Sequence, residues 1–249
     1  FSGIGPRVFI SSQSDQPDGA KLLAAAVKAP VAALATDRDQ AAITFDQLPR
    51  IGAPGGVLSE TRLKGVDIQV LTLSNGVKVM LSPSTSEAGR IYVAARFGKG
   101  MLTLPRDRLT PAWAGPSALV ASGVGDLKQD QLERLTSGRQ INMAFDVGES
   151  AYTMRAMTRP ADLADQLKLM AAKFAAPGWD AAPVLRTRAA AVLGLRTADS
   201  SPGDVVGREL GALLHGGDKR WASPDKTDAE GLTPEGFRAF WEPALANGP

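Results

Sequence analysis

The sequence contains no cysteine and a single histidine, His215. Without thiols there is no disulfide framework, no thiolate metal site and no cysteine nucleophile. A Ser-His-Asp triad would have to use His215, and no G-x-S-x-G elbow accompanies it. A zinc site needs three or four ligands, and "LLHGGDKR" offers no second imidazole. His215 therefore reads as a structural or solvated residue at a helix C-terminus, where a cation is favoured. Aromatic residues make up only 6% of the chain, too few for a platform that stacks bases. The charge is nearly balanced, 28 basic residues against 26 acidic, interleaved and without a basic run, so nucleic acid is not an expected partner. No apolar run approaches ~18 residues, and no membrane span is expected. The sequence does not start with a charged-then-apolar leader, which puts any signal peptide outside it. The glycine-bearing loops "FGKGM" and "SGVGD" match no phosphate-binding pattern and read as turns. Asp225 and Asp228 lie in a polar loop, where solvation is the default reading.

What remains is ordinary for a soluble globular protein: 249 residues, 44% hydrophobic and 22% charged. That length allows one large domain, or one domain with pieces of another. "GPRVFIS" suggests a short strand from Arg7 to Ser11. Asp18 can cap a helix through "GAKLLAAAVKA" that Pro30 stops. One strand and one helix cannot bury a core, so residues 1–45 read as the tail of a preceding domain. Residues 46–65, rich in Pro and Gly, read as a linker, and residues 66–249 as the main domain, truncated at its C-terminal end.

Within that domain Val66, Ile68 and Val70 alternate, as do Val77, Val79 and Leu81. Asn75-Gly76 between them predicts a hairpin with a type I′ turn. "RIYVAARF" is a third strand. Leu127, Leu132 and Leu135 mark a short helix, capped by Asp126 and ended by Gly138. Two strands follow, near Gln140–Phe145 and Ser150–Met157. The rest is helical, beginning with a helix that places Leu163, Leu167, Met170 and Phe174 on one face. Trp179, Trp221, Phe237, Phe240 and Trp241 read as core and helix anchors. The fold class predicted is α/β (α+β), a mixed, largely antiparallel sheet packed by helices.

This order resembles one domain of the insulinase/pitrilysin family of zinc peptidases, whose unit recurs in the mitochondrial processing peptidases and the cytochrome bc1 core proteins. The family's opening hairpin is matched by Leu73, Asn75, Gly76, Val77 and Val79. Further on, Leu132 and Glu133 precede Gly138, Asn142 follows, then Tyr152, Pro160, Asp162 and Leu163 in register. "FAAPGWD" looks like the turn between the family's two long helices.

The resemblance also sets an expectation that the residues do not meet. The family binds zinc through H-x-x-E-H on a helix, with a third ligand, a glutamate, from a later helix. The motif should fall within "TPAWAGPSALVASGVG", residues 110–125, which has no His and no Glu. No acidic residue lies between Asp180 and Asp199, where the third ligand should be. The resemblance thus implies an inactive, second-half copy of the domain, with no catalytic and no metal residue of its own. Zinc, and the catalytic half as partner, would belong to the intact polypeptide, which would close around a peptide or unfolded substrate. Periplasmic or exported residence follows from bacterial relatives of this layout. A scaffold or peptide-binding protein without catalysis, like the bc1 core proteins, is the alternative. Asn142 is the candidate substrate-edge residue, because the corresponding strand in active domains receives the substrate as an added strand.

Overall fold

Short apolar, β-branched runs in "QVLTL" and "KVML" give two strands, β2 (Gln69–Leu73) and β3 (Lys78–Leu81), on either side of the Asn75-Gly76 turn. A further strand, β1 (Val57–Arg62), pairs antiparallel with β2, setting Glu60 opposite Leu71. These make a three-stranded sheet in the order β1-β2-β3. A second sheet has the order β4-β6-β5, from β4 (Ile91–Phe97), β5 (Ala144–Val147) and β6 (Tyr152–Thr158). Every pairing among the described residues is antiparallel, so the architecture is the expected α+β class, its strands divided between two antiparallel sheets. This computed structural model describes residues 14, 17–28, 42–49, 52, 55–197 and 200–246.

The chain divides into two units, residues 1–42 and 43–249. In the first, helix α1 (Gly19–Lys28) forms as expected, its first turn closed on the Asp18 carbonyl by the N–H groups of Lys21 and Leu22. The strand expected at Arg7–Ser11 lies outside the described residues.

The second unit has its main core between the β4-β6-β5 sheet and α8 (Pro234–Ala246). Phe237, Trp241 and Leu245 of α8 pack on Phe97, Phe145, Tyr152 and Met154. The Trp241 ring meets Tyr152 at 4.9 Å and Phe145 at 5.1 Å, both edge to face. A second cluster gathers Phe45, Leu48, Val124, Leu132, Leu135 and Leu169. Phe45 falls in the predicted tail and Leu48 in the predicted linker, yet both are core residues, and β1 also lies inside the span 46–65. Residues 43–49 are held because Ile43, Phe45 and Leu48 pack with side chains of α3 (Gln129–Thr136) and α4 (Leu163–Ala175).

Three local expectations are corrected. Gly76 has φ of 87°, but Asn75 is not among the residues with positive φ, so the turn is not type I′. Instead the Gly76 N–H donates to the Leu73 carbonyl at 2.9 Å and Leu73 N–H to Val77 O at 2.8 Å. This is a three-residue loop with a left-handed glycine at its end. The cap of α3 is Lys128, not Asp126; the Gln131 side chain accepts the Lys128 N–H at 2.8 Å. The buried face of α4 runs through Gln166, Leu169, Met170, Ala172 and Lys173, rotated from the one expected. Leu167 and Phe174 instead line an open apolar trough of about 450 Å³ with Val93 and Ala95 of β4 and Leu245 of α8.

Three more helices complete the unit: α5 (Ala181–Thr197), α6 (Pro202–Leu214) and the short α7 (Lys226–Glu230). The Asp225 carboxylate accepts the Asp228 N–H, and Asp228 accepts that of Asp225, so this pair caps α7 rather than standing free in solvent.

Candidate functional site

Within residues 110–125, where the family resemblance would place the metal ligands, the chain is helical from Pro111 to Ala118 and leaves the helix through a turn over residues 119–122. Pro111 opens a tight turn through Ala114, and α2 (Gly115–Ala118) continues it. Backbone bonds from Leu119 to Gly115 O and from Ala121 to Ser117 O extend the pattern. Proline suits such a start because its missing N–H would have no helical partner. Ala112, Ala114, Gly115, Ala118 and Leu119 are buried. Their small size lets the stretch lie close to β5 and to Trp241. The side chains with donor atoms here are Thr110, Trp113, Ser117 and Ser122, and Ser122 Oγ donates to the Ala118 carbonyl at 2.8 Å.

A cation does sit at the end of this stretch, but it is covalent. The Lys173 side chain crosses from α4, only 5% exposed. Its Nζ donates to the carbonyls of Leu119 at 3.3 Å and Val120 at 3.1 Å, and to that of Ser122. Burial pushes the Lys173 ammonium down to about 8, against the pull of the Asp180 carboxylate. Asp180 accepts the Gly123 N–H at 2.7 Å and Lys128 Nζ at 2.5 Å. Partial burial works against the Asp180 charge, but those two donors hold its carboxyl below the usual range.

The turn that presents Asp180 is tight. The Gly178 N–H donates to Gly123 O at 3.0 Å, and a Cβ on Gly178 would fall 2.7 Å from the Gly123 carbonyl carbon. A Cβ on Gly123 would fall 2.0 Å from Leu127 O. Between Gly178 and Asp180, Trp179 takes φ of 47°, the one positive value at a non-glycine among the described residues.

The other predicted residues lie apart from this centre. The Asn142 carboxamide is committed to its own sheet: Nδ2 donates to the Met157 carbonyl at 2.7 Å and Oδ1 accepts the Met157 N–H at 3.0 Å. Its backbone N–H donates to Gln166 Oε1. Regular pairing begins only at Ala144, so the side chain stands in for a strand residue two positions before β5. Asn75 Oδ1 accepts the Val77 N–H at 3.2 Å and so helps fix the hairpin with Gly76. His215 caps the C-terminus of α6 as expected, Nδ1 at 2.8 Å from Gly211 O, and stacks flat on Trp221 at 3.8 Å.

Chemically, an ammonium surrounded by carbonyls, one carboxylate already paired and two glycines do not make a zinc site. Among the described residues, no three His, Cys, Asp or Glu side chains converge to hold a metal ion. Helix α5 carries Arg186, Arg188 and Arg196 and no carboxylate. Lys173, Asp180, Gly123 and Trp179 were not singled out from the sequence as site residues. Their one signal was Lys173 itself, four residues after Leu169 on a helix face otherwise bound for the core.

No family model matches the chain. Over 94 residues it is 29% identical to the probable zinc protease PqqL of Escherichia coli strain K12, a match spanning 38% of this chain and 10% of that protein. In structure it resembles the periplasmic protease PqqL from Escherichia coli, with a TM-score of 0.68 at 18% identity, over 94% of this chain and 25% of that one. The ferredoxin protease FusC, solved in complex with Arabidopsis ferredoxin, gives 0.65 at 18% identity over 96% of this chain and 26% of FusC. Pitrilysin gives 0.54 at 14% identity, over 76% of this chain and 22% of pitrilysin. The chain spans about a quarter of the length of these solved relatives. Their α+β fold is shared here. No described helix is long and apolar enough to cross a membrane.

Proposed function

We propose, from the premise that this chain is an insulinase/pitrilysin-type domain fragment, that it is a non-catalytic domain of a two-halved zinc-dependent peptidase. The observation that carries this reading is the stretch 110–125. Where a catalytic copy would present two imidazoles and a glutamate, this chain packs Ala112, Ala114 and Ala118 into its core and closes the end with Lys173. Zinc and the general base that activates water would then reside in a catalytic half of the same polypeptide. This domain would contribute the wall of the chamber around a peptide or unfolded polypeptide. Its work is to exclude bulk water and folded proteins while the catalytic half cuts. PqqL is periplasmic, and residence in the periplasm or outside the cell is part of the same proposal.

The test is a comparison of this chain with the intact polypeptide. After dialysis the chain should hold no stoichiometric zinc and cleave no peptide, while the intact polypeptide holds zinc and cleaves. One tightly bound zinc in this chain would overturn the non-catalytic assignment. An intact polypeptide with neither zinc nor cleavage would return the scaffold reading.

A further inference from the structure

A primary ammonium carries three N–H donors, and three backbone carbonyls meet Lys173 Nζ, those of Leu119, Val120 and Ser122. They come from one turn, where the helical stretch that starts at Pro111 runs out. Carbonyls at such an end lack i+4 helical partners and carry the negative end of the helix dipole; that of Leu119 also accepts the Ser122 N–H at 3.4 Å. The lysine stem forms part of the wall of a small cavity of about 100 Å³, with Val120, Leu132, Ile141, Met143 and Leu169 as its apolar lining. Gln129, Glu133 and Thr136 of α3 and Asn142 border the same space. On the other side stands Asp180, whose charge is already shared with Lys128.

We propose that these two parts, the tripod of carbonyls and the enclosed channel that the buried Lys173 stem itself occupies, form a binding site for a primary alkylammonium that the native chain fills with its own Lys173. The number of donors matches the number of acceptors, and the channel takes the methylenes. In the native chain the side chain is a positioning residue. It fixes the turn 119–123, which sets Gly123 against Asp180 and Gly178. The site follows from this chain's own residues, whether or not the intact polypeptide cleaves peptides.

Lys173→Ala removes Cγ, Cδ, Cε and Nζ, the same atoms that n-propylammonium would return. We expect the variant to melt about 5 °C or more below the native protein, since unpartnered buried carbonyls destabilise a fold of this size by that order. n-Propylammonium chloride should restore most of that loss saturably. Tetramethylammonium chloride at equal ionic strength, a cation without N–H donors, should not. Equal effects of the two salts, no effect of either, or a variant as stable as the native chain would overturn the proposal. If Lys173→Ala does not fold, Lys173→Met keeps the channel filled. Hydrogen exchange at the amides of Gly123, Val124 and Gly125 should then quicken about tenfold while β6 is unchanged. Unchanged exchange at those three amides would equally overturn it.

Discussion

A Cβ placed on Gly115 would stand 2.5 Å from Cζ2 of Trp241. The helical stretch and α8 therefore touch backbone against indole, and Trp241 is fully buried at that contact. Alanine would raise helix propensity by about 1 kcal/mol. Overpacking the contact should outweigh that gain, and Gly115→Ala should lose about 1–3 kcal/mol in urea melts. A variant as stable as the native chain would show that α2 and α8 do not meet in this way.

Gly76 tests backbone strain without crowding. Nothing lies within 4 Å of a Cβ built there, yet its φ is 87°. Gly76→Val should lose about 1–3 kcal/mol through conformation alone. Gly76→Asn should lose clearly less, because Asn tolerates left-handed backbone. Equal losses for the two variants would count against a left-handed residue at this point of the loop.

Lys173 should make stability depend on alkaline pH. Its folded value of about 8 lies below the ~10.4 of an unfolded lysine. Between the two the unfolded chain binds more protons, so the unfolding free energy rises with pH, by up to about 3 kcal/mol for this group. That contribution is fully present above the unfolded value and is lost as pH falls through about 8. Chemical denaturation from pH 7.5 to 10.5 should show a rise in the native protein that Lys173→Met lacks. The same slope in both proteins would assign it to other groups.

For Asn142 the two hydrogen bonds to the Met157 backbone predict a structural loss. Asn142→Ala should destabilise by about 1–2 kcal/mol, and Asn142→Asp, which lacks the donor facing the Met157 carbonyl, should do no better. If the side chain served only an incoming strand, the alanine variant would melt with the native chain.

These residues also mark how far the sequence could be read. The hairpin, the β4 to β6 strands and the long helices were legible because period-2 and period-3.6 patterns are local. So was the missing H-x-x-E-H, which needs only counting. Strand β1 was not, since "VLSETR" has every side chain exposed and no alternation to betray it. Phe45 and Leu48 did not look like core residues because their partners, Leu132 and Leu169, are remote in sequence. The turn at Asn75 depends on a φ value that the Asn-Gly pair alone does not fix. Lys173 and Asp180 were not singled out, because lysine and aspartate are rarely buried without a partner. Their partners here are mostly backbone groups, which no sequence pattern displays.

The boundary near residue 43 can be tested by truncation. A chain starting at Ile43 should keep the cooperative unfolding of residues 43–249, the unit defined by its contacts. A chain starting at Val66 lacks Phe45, Leu48 and β1, and should lose at least about 3 kcal/mol, the scale for deleting one large buried aromatic. Equal stability of the two would restore residues 46–65 as a mere connector.

The separation of the sheets has a practical side in the test tube. Among the described residues β3 pairs only with β2 and β4 only with β6, so each sheet keeps an open edge, and the apolar trough adjoins β4. An unpaired edge is a template on which another copy can add a strand. Tyr92 on β4 and Met80 on β3 are both more than half exposed, and neither edge strand holds a proline. Self-association of the purified chain is therefore expected at these two strands. Light scattering should grow with protein concentration, and a lysine at Met80 or Tyr92 should suppress it while leaving the melting curve in place.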